Sequence, residues 1–224
     1  MESLLDLFQG HSGREVCKWH HYLEHYERHF ASFVGKPISI LEIGVESGGS
    51  LQLWKRYFGK EASIVGIDID ALRKFQEEQI VVEIGGQSDI KFLQYIVDTY
   101  GPFDIIIDDG SHKQKDIRKT FDFLYSHLKE GGVYVIEDLH CSYFPTFQGG
   151  LVSPNNFVSY LSDLVHDLNF RYIREFFYAK KFSGLKSLCF YDSMIFLEKE
   201  AELDRYVEVR GKDVYRKLLP SDIF

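Results

Sequence analysis

Two apolar runs, FDIIIDDGSH at residues 103–112 and VYVIEDLH at 133–140, end abruptly in carboxylates. The first delivers Asp108 and Asp109, with His112 three residues further on, and the second delivers Glu137 and Asp138. Three consecutive isoleucines, Ile105 to Ile107, suit a strand buried on both faces. If the two strands are neighbours, four carboxylates meet at one rim, where unpaired charges repel and raise one another's pKa values. Neither run contains a Lys or Arg to offset them. A hard divalent cation would, and oxygen ligands with open water positions suit Mg²⁺. His112 can face the same pocket, where an imidazole, titrating near neutral pH, would serve as general base. Asp108 could instead be a structural cap, and the sequence leaves open whether it is a ligand or a cap; it is not counted among the ligands.

A second cluster falls at the end of an earlier apolar run, LEIGVESGGS. Its glycines stand at 44, 48 and 49, whereas a dinucleotide fingerprint needs 44, 46 and 49, and Glu46 would repel a pyrophosphate. The spacing Glu42-x-Gly44-x-x-x-Gly48 suits a nucleoside ligand without phosphate. S-adenosylmethionine (SAM), with its sulfonium and ammonium, is such a ligand. Asp68 ends the next apolar run, 20 residues past Gly48, where an acid accepts hydrogen bonds from ribose hydroxyls.

These clusters need a scaffold that brings strand ends together. Strand patterns at 38–44, 63–69, 80–85, 103–108 and 133–138 alternate with helical patterns at 49–58, 89–100 and 114–128. That rhythm predicts an α/β fold with a doubly wound, mostly parallel sheet. Two β-like runs, 187–192 and 194–199, add an antiparallel hairpin at its edge, for seven strands in all. Residues 14–34 read as a helix with Trp19, Tyr22, Leu23, Tyr26, Phe30 and Phe33 on its inner face, and 156–168 as another. His21, His25 and His29 then fall on the polar flank of the first. The expected organisation is one domain over 1–224, with an N-terminal helical extension at 1–36 and a loop at 139–156.

The 224 residues carry a formal net charge of −8, which disfavours a general nucleic-acid surface. No apolar run reaches the ~18–20 residues of a membrane span. The acidic MESLLDLFQG lacks a basic leader pattern, and three scattered cysteines fit free thiols, so a cytoplasmic location is expected.

The blocks WHHYLEHYERHF, LEIGVESGGSLQLWKRYF, GIDID, GGQSD, FDIIIDDGSH, GGVYVIEDLHCSYFPTFQGG and SLCFYDSMIFLEK occur in order over roughly residues 18–199. In them the chain resembles the Mg²⁺-dependent sugar O-methyltransferases of natural-product biosynthesis, the macrolide and rhamnosyl O-methyltransferases of mycinamicin and spinosyn type. The resemblance implies a Rossmann-like SAM-methyltransferase sheet. It implies Glu42, Gly44 and Gly48 in the SAM loop, Asp68 on the ribose, and Gln87, Ser88 and Asp89 beside the adenine. It implies Asp109, Glu137 and Asp138 as metal ligands and His112 as base. Gly86 departs from the family's usual Gly-Asp-Gln block.

The expected reaction is methyl transfer from SAM to a sugar hydroxyl of a small glycosylated or dihydroxy acceptor. The loop CSYFPTFQGG would cover that acceptor, with Tyr143 and Phe144 as walls. A catechol-like acceptor and a catalytically silent SAM-binding module are the alternatives. The family's substrate contacts and any homo-oligomer assembly do not carry over to this chain.

Overall fold

The computed structural model describes residues 2–174 and 177–219. Its elements in chain order are α1 (Leu4–Gln9), α2 (Tyr22–Phe30), β1 (Ser39–Ile43), α3 (Gly49–Phe58), β2 (Ser63–Asp68), β3 (Gln76–Glu77) and β4 (Ile80–Ile84). Then follow α4 (Ile90–Tyr100), β5 (Phe103–Asp108), α5 (Gln114–Leu124), β6 (Leu128–Ile136), α6 (Phe157–Leu168), β7 (Leu185–Tyr191), β8 (Met194–Lys199), β9 (Val207–Gly211) and β10 (Val214–Leu218). The main sheet has the order β3-β4-β2-β1-β5-β6-β8-β7. β4, β2, β1, β5 and β6 run parallel; β8 pairs antiparallel with β6, and β7 antiparallel with β8.

The alternation seen in the sequence is this sheet. Ile106 packs with α4, α5 and α6 on one face, and Ile105 and Ile107 with α1, α2 and α3 on the other. That is why β5 carries no polar residue between Asp104 and Asp108. Chain order reverses between β1 and β5, so a crevice opens beyond their carboxyl ends. The two-residue β3 makes an eighth strand, and β9 and β10 pair as a separate hairpin.

The expected helix over 14–34 is shorter: α2 begins at Tyr22, and residues 12–19 run extended. The cause is tertiary. The backbone at 14–15 lies directly on Gly49, where an added Cβ would stand 2.2 Å from the Glu15 carbonyl oxygen. Gln52 Oε1 accepts from the Arg14 N–H at 2.8 Å, and the Arg14 guanidinium covers the Phe75 ring at 3.9 Å. Such contacts outweigh weak helix propensity in a stretch containing Val16 and Cys17. Trp19 therefore leaves the core face predicted for it. Tyr22, Leu23, Tyr26 and Phe30 keep theirs. The histidines of α2 are not a free polar flank. His29 bonds Glu198 and Tyr191 of the β7–β8 hairpin, and His25 stacks on Tyr191 at 3.8 Å.

Candidate active site

The turn after β1 is shaped by what lies against it. Gly44 has φ +88°, and a Cβ there would sit 2.1 Å from the Asp109 carbonyl oxygen. Only glycine meets both demands, so the turn after β1 and the Asp109 turn are one packed unit. The Asp109 N–H donates to the Ile43 carbonyl at 2.9 Å and closes the seam. Asp68, at the end of β2, is tied to the same loop. Its Oδ2 accepts from the N–H groups of Val45 and Glu46 at 2.9 and 3.1 Å, and its Oδ1 from Asp70 at 2.8 Å.

A cleft of about 280 Å³ lies beyond these strand ends, lined by Gly44, Asp68, Ile69, Gly86, Ser88 and Ser111, among others. Ile69 is 80% exposed there, an apolar wall that the sequence reading missed. Of the three residues expected beside an adenine, Ser88 lines the cleft. Gln87 lines it too, but its side chain is buried and committed: Nε2 donates to Asp108 at 3.1 Å and Oε1 accepts from the Ser111 N–H at 2.6 Å. Asp89 instead caps α4, accepting from Lys91 and Phe92, outside the residues lining the cleft. An Asx cap was legible in Asp89 followed by an apolar helical run.

Asp108 is buried beneath this cleft, and burial pushes its carboxyl up to about 7 against the opposing hydrogen bonds from Gly110 and Gln87. It accepts from the Gly110 N–H and from Gln87 Nε2, bonds within the turn after β5 and from the loop after β4.

The cation absent from both acidic runs comes from the extended segment. Lys18, only 2% exposed in its side chain, places Nζ 2.5 Å from Asp109 Oδ2, 2.6 Å from Glu137 Oε1 and 3.9 Å from Glu42 Oε1. Burial pulls this ammonium's pKa down, but the three carboxylates outweigh burial and hold it well above its ordinary value. Glu137 Oε1 also accepts from the Tyr26 hydroxyl. Burial and then the Asp109 charge push the Glu137 carboxyl up, and Lys18 opposes them. Glu42 is fully buried; Trp54 Nε1 donates to its Oε2 at 2.7 Å, while its Oε1 has no hydrogen bond. Glu137 was expected among the metal ligands. In the structure its Oε1 is held by Lys18 and Tyr26, and it is not in the converging group that follows.

Removing Lys18 leaves buried carboxylates without their counter-ion, which typically costs about 3 kcal/mol or more. Lys18→Met should therefore lower the melting temperature of EDTA-treated protein by several degrees. An unchanged melting temperature would mean that the carboxylates take up protons at no cost.

Asp109, His112 and Asp138 form the group that converges: one ligand atom from each lies within 4.8 Å of the others. Each carboxylate is braced by one oxygen and presents the other. Asp109 gives Oδ2 to Lys18 and leaves Oδ1 4.0 Å from His112 Nε2. Asp138 Oδ1 accepts from Tyr22 at 2.8 Å and Trp19 Nε1 at 3.2 Å, and its Oδ2 lies 3.7 Å from His112 Nε2. Two free carboxylate oxygens and an imidazole, all partly open to solvent, are a donor set that fits Mg²⁺ or a similar divalent ion. The bracing is the outer support that orients ligands in metal sites.

Tyr143 and Phe144 are half-exposed, 46% and 48%, and do not anchor the loop in the core. The His140 ring lies edge-on to Phe144 at 6.0 Å, and Phe147 edge-on to His112 at 6.1 Å.

The sheet has the Rossmann-like methyltransferase fold. Over 89% of this chain, the structure superposes on the MycE methyltransferase of mycinamycin biosynthesis, solved with Mg and SAH, with a TM-score of 0.80 and 31% identity. In sequence the chain is 40% identical over 142 residues to demethylmacrocin O-methyltransferase of Streptomyces fradiae. It is 42% identical over 142 residues to mycinamicin VI 2''-O-methyltransferase of Micromonospora griseorubida. These matches take in 59% and 60% of this chain but only 36% and 35% of those proteins, and the MycE superposition takes in 55% of that chain. The chain thus spans little more than a third of the curated relatives it matches. No family model matches it. Among the described residues, no helix is long and apolar enough to cross a membrane.

Proposed function

We propose that this chain transfers a methyl group from SAM to a hydroxyl of a sugar carried by a small natural product, with Mg²⁺ bound by Asp109 and Asp138. The observation that carries the reading is the pair of braced carboxylates, each presenting one free oxygen toward His112, beside a cleft at the strand ends lined by Gly44, Asp68 and Ser88. The relatives, whose names specify macrolide and rhamnosyl O-methylation, supply the substrate class. MycE was also solved with mycinamycin VI, a precedent for a glycosylated small-molecule acceptor. The reading places the reaction in the cytoplasm and requires no nucleic acid.

In this reading, Asp68 accepts hydrogen bonds from the ribose while its bonds to Val45 and Glu46 hold the loop open. Ile69 and Ser88 flank the base. A bound Mg²⁺ supplies Lewis acidity, which makes an acceptor hydroxyl easier to deprotonate. His112 takes that proton at Nε2. Tyr143 and Phe144 form the outer wall of the acceptor site. Holding donor and acceptor in one orientation makes a bimolecular step effectively unimolecular, a large share of the barrier.

The test is transfer of a labelled methyl group from SAM, with Mg²⁺ present, to a rhamnosylated polyketide, a macrolide glycoside and catechol in parallel. Label should appear on a glycoside. Label on catechol alone would replace the sugar reading with the catechol-like alternative, and SAM binding without any turnover would leave a silent binding module.

A further inference from the structure

Trp19 is a large apolar side chain, 55% exposed, pinned by one edge at the centre of the proposed site. Its indole N–H donates to Asp138 Oδ1, the braced oxygen of a carboxylate that faces His112. The rings of His21 and His140 stand 6.0 and 6.1 Å away, the latter edge-on, and fix the indole's tilt. Exposing an indole costs hydrophobic free energy that burying it against the Tyr22–Tyr26 face would recover. The chain instead ends its extended segment at Lys18–Trp19, so that Lys18 goes down into the acidic pit and Trp19 stays up beside Asp138.

We propose that Trp19 is the acceptor platform: the apolar C–H face of the sugar packs on the exposed indole while two of its hydroxyls reach toward Asp109, Asp138 and His112. This rests on the sugar methyltransferase reading and deepens it, because it names the residue that selects a pyranose. A sugar ring has hydroxyls at its rim and C–H bonds on its faces. Those C–H hydrogens carry slight positive charge from the neighbouring oxygens and meet the negative face of an indole. The N–H bond to Asp138 ties the platform to the carboxylate that sets the hydroxyl position, so the ring and the reacting oxygen are held in one frame. His140, Phe144 and Phe147 continue the aromatic border along the far side.

Two variants separate the platform from a mere brace for Asp138. Trp19→Phe keeps an aromatic face and loses the N–H; Trp19→Ala loses both. Calorimetric titration with the glycoside that the wild type methylates, in the presence of SAH and Mg²⁺, should show Trp19→Ala weakened by about five- to tenfold, the worth of one aromatic contact. Trp19→Phe should stay within about twofold of wild type. SAH affinity should be the same in all three, and the acceptor KM should follow the titration while the SAM KM does not move. Unchanged glycoside affinity in Trp19→Ala would overturn the platform. So would Trp19→Phe as weak as Trp19→Ala with Mg²⁺ affinity falling in step, since the indole would then act only through Asp138. Failure of the underlying reading shows earlier and elsewhere: wild-type protein would methylate no glycoside at all, and the platform would fall with it.

Discussion

EDTA should abolish methyl transfer, and Mg²⁺ should restore it. Asp109→Asn and Asp138→Asn should each lower turnover by more than about 10²-fold, beyond what loss of an outer supporting partner costs at metal sites. The argument is geometric. Each carboxylate spends one oxygen on its brace, Lys18 for Asp109, Tyr22 and Trp19 for Asp138, and presents the other. Converting either to an amide removes a negative charge that would attract the cation. Glu137→Gln should behave differently, because Glu137 stands outside the converging group of Asp109, His112 and Asp138 and its Oε1 is held by Lys18 and Tyr26. Its cost should appear mainly in the melting temperature, with Mg²⁺ affinity, read by calorimetry, falling less than in the two aspartate variants. SAH binding should survive in all three, since the cleft lined by Asp68 and Ile69 does not include these side chains. Full activity after exhaustive chelation would remove the metal from the reaction.

Local patterns made much of this site readable. Isoleucines on both faces of β5 and the abrupt carboxylates after β5 and β6 fixed the rim, because strand ends must be neighbours in a parallel sheet and the polar residues there cannot be core. Gly44 and Gly48 were readable as the turn residues they are, both with φ near +88°. What escaped was set by partners far away in the chain. Lys18 lies 91 residues from Asp109 and 119 from Glu137, and no periodicity connects them. The helical spacing of Trp19 with Tyr22 and Tyr26 was real, but contacts of Arg14 and Glu15 with the α3 start overrode it. Gln87 had the right neighbours for a base-binding residue. Its burial beneath the cleft, bonded to Asp108 and Ser111, depends on the loop after β4 reaching across β2 and β1 to the turn after β5 and leaves no trace in local sequence.

Backbone strain gathers at the same place. Glu46, His112 and Asp138 are non-glycine residues with φ of 49°, 55° and 53°. Left-handed conformations cost such residues about 1 kcal/mol or more and persist where surroundings enforce them. Here the enforcement is visible: Asp68 accepts from the Glu46 N–H, the Gln114 side-chain amide donates to the His112 carbonyl, and the Tyr22 hydroxyl donates to Asp138 Oδ1. The bends turn His112 and Asp138 toward each other from two different strand ends, an alignment that ordinary extended geometry after β5 and β6 would not provide.

His112→Ala should lower kcat by roughly 10²–10⁴-fold, the usual contribution of a positioned base. Two roles compete for this imidazole, because Nε2 lies 4.0 Å from Asp109 and 3.7 Å from Asp138, within the converging group. A base and a ligand predict different partners for the loss. If His112 moves the proton, Mg²⁺ and SAH affinities should stay within a few-fold of wild type while kcat collapses, and added imidazole should restore part of the rate. If it is a ligand, Mg²⁺ affinity should fall with activity, and raising the Mg²⁺ concentration should recover the rate without imidazole. His112→Gln sharpens the comparison, since an amide can still donate or accept a hydrogen bond but cannot take a proton at neutral pH. A His112→Gln enzyme with near-normal kcat at saturating acceptor and Mg²⁺ would show that the side chain only shapes the turn after β5. The acceptor hydroxyl would then lose its proton to solvent, and the DDGSH stretch would serve the metal and the glycine seam alone.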